Sequence, residues 1–193
     1  MQPSANEKWI EGISATLASY REMIDVTVEQ LSDAELHARP APEINSVAIL
    51  LRHIGGNLRS RWTDFLTTDG EKPDRARDTE FQDWEGDRAA LLAHFDNGWN
   101  ALTSAIEQIK HSNMQQSMFV RGHHHTIHEA LTRSVTHVTY HVGQIVMVAR
   151  MVHKGPWQWV TIAPGQSDQY NQENWGTGSN RGTFGDPNES QEG

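Results

Sequence analysis

The chain has 193 residues, a length that argues for one domain, or one domain with an appendage, rather than two. Sixteen Lys and Arg against 25 Asp and Glu leave a formal net charge of -9, which opposes broad DNA binding, since counterion release needs a cationic footprint. Cysteine is absent, which excludes a disulfide framework, thiolate zinc sites and a catalytic cysteine; any thiol chemistry must use a thiol from elsewhere. No run approaches the ~20 apolar residues of a membrane span and the N-terminus lacks a signal-peptide pattern, so the chain reads as cytoplasmic.

Four segments carry a helical period and predict an all-α fold. The first runs from about Asn6 to Leu31, with Ile10, Ile13, Leu17, Tyr20, Ile24 and Val28 spaced by three or four; Pro40 and Pro42 close the connection after it. The second begins near the cap candidates Asn45 and Ser46 and carries Val47, Leu50, Leu51, Ile54, Leu58, Trp62 and Phe65 on one stripe, ending before Asp69 and Gly70. Between Asp69 and Thr79 the charged, Pro73-containing stretch reads as a solvated connection. Thr79 with Gln82 resembles a capping box and predicts a third helix through Trp84, Leu91, Leu92, Phe95, Trp99, Leu102, Ile106 and Ile109. His111 to His125 reads as a loop with a short extended piece around Met118 to Val120. Thr126 with Glu129 is a second capping-box match, opening a fourth helix that stops at Lys154, Gly155 and Pro156. Four long helices imply a bundle over residues 1–162. A C-terminal extension, 163–193, is expected to be partly disordered, because its last part is rich in Gly, Asn and Ser and cannot bury enough apolar surface to offset its ordering.

The chemistry concentrates in the fourth helix, whose apolar stripe is Ile127, Leu131, Ser134, Val138, His141, Ile145, Val148 and Val152. His141 lies on that stripe and His137 one turn earlier on the same face, a spacing that forms a two-nitrogen clamp for a divalent metal and that also arises among hydrogen-bonded core histidines. His53, between Leu50 and Asn57 in the second helix, can face the pair across the bundle. Three neutral imidazoles in an apolar interior are poorly satisfied without a shared cation; the alternative is three separate histidines bonded to carbonyls or water. His124 and His128 are a rival pair that straddles a helix start, and His123 to His125 read as a solvated loop. Val138 follows His137, so the H-E-x-x-H arrangement of a zincin protease is missing.

The segment Arg52-His53-Ile54-Gly55-Gly56-Asn57-Leu58-Arg59-Ser60-Arg61-Trp62, with His137-Val138-Thr139-Tyr140-His141-Val142-Gly143-Gln144-Ile145, resembles the DinB/YfiT-like superfamily, and more narrowly a branch known mainly as a domain of unknown function. The likeness spans about Lys8 to Asn171 and includes Pro164-Gly165-Gln166-Ser167. It implies a DinB-like four-helix bundle holding a metal on three histidines, one from the second helix and two from the fourth; carried over by position these are His53, His137 and His141. Gly55-Gly56-Asn57 reads as a turn after the first ligand. Relatives in the superfamily include thiol S-transferases that use bacillithiol, mycothiol-dependent isomerases and proteins labelled metal-dependent hydrolases.

The resemblance therefore implies a metal-dependent enzyme, with zinc or nickel foremost and iron or manganese as alternatives, that activates a low-molecular-weight thiol for transfer to an electrophile. Hydrolysis by metal-bound hydroxide is the runner-up, and a stress protein that binds metal without turnover is a third reading. Three histidines leave at least one coordination position open. Arg133, one turn before His137, and Gln144, one turn after His141, are candidate supporting or substrate-contacting groups, with plain surface roles as the alternative. Charge for an anionic thiol is expected from Arg133, Arg52 or Arg59. Glu129 reads as a cap, and Trp62, Trp84 and Trp99 as core. The expected partners are a small-molecule thiol and its electrophile, with no nucleic acid and no membrane; a homodimer is left open.

Overall fold

Side-chain caps decide where the long helices begin. In the computed structural model, which describes residues 4–110 and 114–174, Ser4 caps α1 (Ala5–Glu29), Ser46 caps α3 (Val47–Trp62), and Thr126 forms a capping box with Glu129 at the start of α5 (Ile127–Val152). A short α2 (Asp33–His37) fills the connection closed by the prolines, and α6 (Ser167–Asn174) follows α5. The third long helix starts later than expected. Thr79 does not cap it; its hydroxyl donates to the Ala76 carbonyl inside a 3-10 helix, Arg77–Phe81. Asp87 accepts from Ala90 N and opens α4 (Arg88–Ile109), leaving Trp84 outside the helix.

Of the expected loop from 111 to 125, residues 111–113 lie outside the described residues, and the rest holds a hairpin whose first strand contains the extended piece expected around Met118 to Val120. β1 (Ser117–Val120) pairs antiparallel with β2 (His123–Thr126), so His123 to His125 lie on a strand. Arg121 and Gly122, both at positive φ, make the turn, and the Asp69 carboxylate fixes its tip by accepting from Arg121 N at 2.8 Å and Gly122 N at 2.7 Å. The fold is thus mostly helical with one two-stranded sheet among the described residues. His128 stacks on Trp9 and His124 meets the edge of Phe119, so the rival histidine pair does not converge.

Two compact units are present, Met1–Trp157 and Gln158–Gly193. In the second, α6 is preceded by Gly165 at positive φ, and Tyr170 N bonds to Gln166 O. The disorder expected near the C-terminus falls mostly on residues 175–193, outside the described residues. No helix among the described residues is long and apolar enough to cross a membrane.

In the first unit α1, α3, α4 and α5 share one apolar core. α3 is buried along most of its surface, from Val47 through Leu50, Leu51, Ile54 and Leu58 to Trp62, with Arg52, Asn57 and Arg59 on its open edge. Gly55 and Gly56 do not break it. A Cβ on Gly55 would lie 2.9 Å from Phe95 Cα in α4, and one on Gly98 would overlap the Gly55 carbonyl. The glycines let α3 and α4 touch backbone to backbone, which offsets the ~1 kcal/mol each costs a helix.

That contact yields a pair of substitutions with opposite signs. Gly98→Ala should destabilise by roughly 1–3 kcal/mol through overpacking. Gly143→Ala, on α5 with open space around its would-be Cβ, should stabilise by about 0.5–1 kcal/mol. Urea unfolding of both variants is the measurement, and a stabilised Gly98→Ala would refute the close crossing.

Candidate metal centre

The burial of α3 carries His53 into the core at 3% exposure, and the α5 stripe does the same for His141 at 7%. His137, one turn before His141, is half-buried. Their ring nitrogens meet: His137 Nε2 lies 3.3 Å from His53 Nε2 and 3.1 Å from His141 Nε2, and a set of one nitrogen from each residue falls within 4.8 Å.

The far side of two rings fixes which nitrogen holds the proton. His53 Nδ1 donates to Glu80 Oε2 at 2.9 Å, and His141 Nδ1 donates to Gln144 Oε1 at 2.7 Å. Each neutral ring then turns a bare Nε2 lone pair toward His137. At most one proton on His137 Nε2 could serve either neighbour, and His137 Nδ1 is buried without a hydrogen-bond partner. A divalent cation accepts all three lone pairs at once. Two nitrogens held tetrahedrally at the usual ~2.0–2.1 Å from one ion stand roughly 3.4 Å apart, close to both observed separations. The donor set fits a divalent metal.

Burial pushes His137 down to about 3, helped by His141, His53, Arg61 and Arg75 around it. Burial also lowers His141, with the Gln144 bond opposing it. Both shifts keep the rings neutral, the state that ligates.

Glu80 and Arg75 come from the stretch that reads as a solvated connection and its 3-10 continuation, yet Glu80 is buried and the Arg75 side chain is only 3% exposed. Arg75 grips the Glu80 carboxylate with two bonds, Nε to Oε1 and Nη2 to Oε2, each 2.8 Å, and its Nη1 reaches Glu71 at 3.1 Å. Burial alone would raise the Glu80 pKa; the His53 and Arg75 bonds and the Arg75 charge outweigh it and hold the carboxyl below its ordinary value. Gly56 makes the space, since a Cβ there would overlap Glu80 Oε1. Nothing in a helical period marks Glu80; its only sequence signal is an acid 27 residues from His53 in a charged run.

On the side of His53 and His137 the site opens into a cavity of about 220 Å³ that is also lined by Arg61, Arg77, Arg121 and Arg133. Arg133 therefore faces the site, and Gln144 sits behind His141. Arg52 and Arg59 do not line this cavity: Arg52 bonds to the Gln82 and Asp83 carbonyls and Arg59 pairs with Asp74. Trp62 donates from Nε1 to Ser134 Oγ at 3.0 Å, locking α3 to α5 one turn before His137.

Two outcomes follow from this arrangement. Glu80→Gln should weaken metal binding about 10- to 100-fold in a chelator competition, the usual effect of removing the partner of a histidine ligand; unchanged affinity would show that Glu80 does not orient His53. The second concerns metal-free, chelator-treated protein. The folded His137 value near 3 lies below the ordinary 6.5, so the unfolded chain takes the proton first as pH falls. The stability contributed by the neutral ring is complete above about pH 6.5 and is lost as pH falls toward 3. Urea midpoints should therefore drop more steeply with acid in the wild type than in His137→Ala, and parallel curves would contradict the shift.

No curated protein and no solved structure matches the chain. One family model does, that of the proteins of unknown function DUF1572, over residues 4–166, and the chain belongs to that family.

Proposed function

We propose that His53, His137 and His141 hold one divalent metal, zinc or nickel foremost and iron or manganese as alternatives, in a DinB/YfiT-like four-helix bundle that transfers a low-molecular-weight thiol to an electrophile. The observation that carries this reading is the convergence of three ring nitrogens, two of them left as bare acceptors by Glu80 and Gln144. A divalent metal held there would supply Lewis acidity, enough to bring a thiol of ordinary pKa ~8.5 to its anionic form near neutrality.

The chain's own groups favour a thiol over water. Among the described residues no carboxylate lines the cavity, and the buried Glu80 has its oxygens occupied by Arg75 and His53. Ser134 Oγ accepts from Trp62 and is no base. A site without a free proton acceptor suits a nucleophile that ionises easily, and water begins at ~15.7. The chain has no cysteine to compete for the metal or to serve as nucleophile. The likeness of the segments around His53 and His137 to the DinB/YfiT-like superfamily points the same way.

The test begins with metal analysis of the purified protein and each histidine-to-alanine variant, in which stoichiometric metal should be lost; full occupancy in His137→Ala would remove the assignment. Bacillithiol, glutathione, coenzyme A and water are then compared as nucleophiles on the metal-restored protein, with His141→Ala as the inactive control. Thiol transfer is expected to exceed hydrolysis of esters or amides. Activity with water alone would make the protein a hydrolase, and no activity with any nucleophile would make it a non-catalytic metal-binding protein.

A further inference from the structure

Four separate elements deliver an arginine to the cavity beside the imidazoles: α3 gives Arg61, the 3-10 helix Arg77, the hairpin turn Arg121 and α5 Arg133. Gathering like charge is costly, and in a chain of net charge -9 it is not a matter of composition. The acids nearby neutralise it only in part. Glu71 accepts from Arg121 at 3.2 Å and is shared with Arg75, and Asp78, itself fully exposed, stands 3.8 Å from Arg77. Arg61 and Arg133 form no ion pair among the described residues.

Arg61 is the least expected of the four. It is only 7% exposed, and its Nη1 is buried with no hydrogen-bond partner. Burial pushes it down to about 10, with Arg75, Arg133 and Arg121 adding repulsion that Glu71 only partly offsets. A buried guanidinium with an unmet donor, facing a cavity that three other arginines share, is a receptor for negatively charged oxygen.

We infer that this cavity seats an anionic group, a phosphate or a carboxylate, belonging to the molecule that reacts at the three imidazoles. At about 220 Å³ it is smaller than the ~300–1,000 Å³ of most ligand pockets, so it holds the charged head of a ligand or a small ligand entire. His53 and His137 form another part of the same wall, so an anion held by the arginines lies next to the ring nitrogens. The identity of the reacting molecule rests on the metal reading of the triad; the anion seat rests on the arginines.

The experiment is calorimetric titration of orthophosphate and of succinate, at fixed ionic strength, into zinc-loaded protein and into His137→Ala. At least one anion should bind with 1:1 stoichiometry in both, and the stronger of the two tells phosphate from carboxylate. Arg133→Gln and Arg77→Gln, at exposed positions that leave the core intact, should each weaken binding by about tenfold, as expected for loss of a charge-assisted bond. Arg59→Gln, outside the cavity, should have no effect. Wild-type protein that binds neither anion overturns the inference, as does equal weakening by Arg59→Gln. Metal bound without anion binding removes this inference alone, whereas anion binding in a protein that takes no metal removes only the metal reading.

Discussion

The buried ion pair between Arg75 and Glu80 is the constraint on which the site depends. A carboxylate at 5% exposure needs strong partners, and Glu80 has three hydrogen bonds, two from the Arg75 guanidinium and one from His53. Taking away one partner of such a pair leaves an uncompensated charge, at a cost of about 3–5 kcal/mol. The pair therefore pins the segment 75–80 onto α3. That docking orients the His53 ring and places Arg77, two residues on, at the cavity wall. Gly56 is part of the same device, because only a residue without Cβ leaves room for the carboxylate against the helix.

Packing and electrostatics meet at the α3–α4 crossing. Gly55 and Gly98 bring the two backbones together, and Gly56 on the neighbouring position admits Glu80. A short glycine run in α3 thus serves both helix packing and the orientation of His53. Without the resulting burial on every side, the imidazole would be solvated and free to choose either tautomer. Burial supplies the low-dielectric setting, and the ionised carboxylate selects the tautomer that turns Nε2 inward.

The histidine cluster was legible in the sequence because it follows helix periodicity. His137 and His141 are one turn apart on an apolar stripe, and His53 is flanked by the apolar positions of α3. The caps at Ser46 and Thr126 were legible for the same local reason. What escaped depends on contacts distant in the chain. Glu80 lies in a charged run with no period, where burial is decided by an arginine five residues away and a histidine 27 residues away. Thr79 and Gln82 matched a capping pattern, but Asp87, placed just before the apolar repeat of α4, makes the cap. Gly55-Gly56-Asn57 looked like a turn because glycine is a poor helix former; its neighbours bury enough apolar surface to override that preference. The hairpin was half visible, since His123 to His125 has no apolar alternation, and its pairing rests on the Arg121-Gly122 turn and on Asp69, which is 52 residues from Arg121 in sequence.

The charges around the triad are arranged in opposition. Glu80 stands behind His53, while four arginines face the open side. Burial, with repulsion from the neighbouring histidines and then from Arg61 and Arg75 added to it, keeps His137 neutral, which favours ligation, yet the arginine charge opposes a dication between the rings. Glu80 offsets some of that field but is itself shared with Arg75. An anion seated among the arginines would offset more, so on the proposed reading the two ligands help each other bind. Linkage makes that help reciprocal: the factor by which the anion tightens the metal is the factor by which the metal tightens the anion. On that reading a cation site beside a cluster of arginines is no contradiction, because its full strength would belong to the state in which an anion's negative charge is already in place.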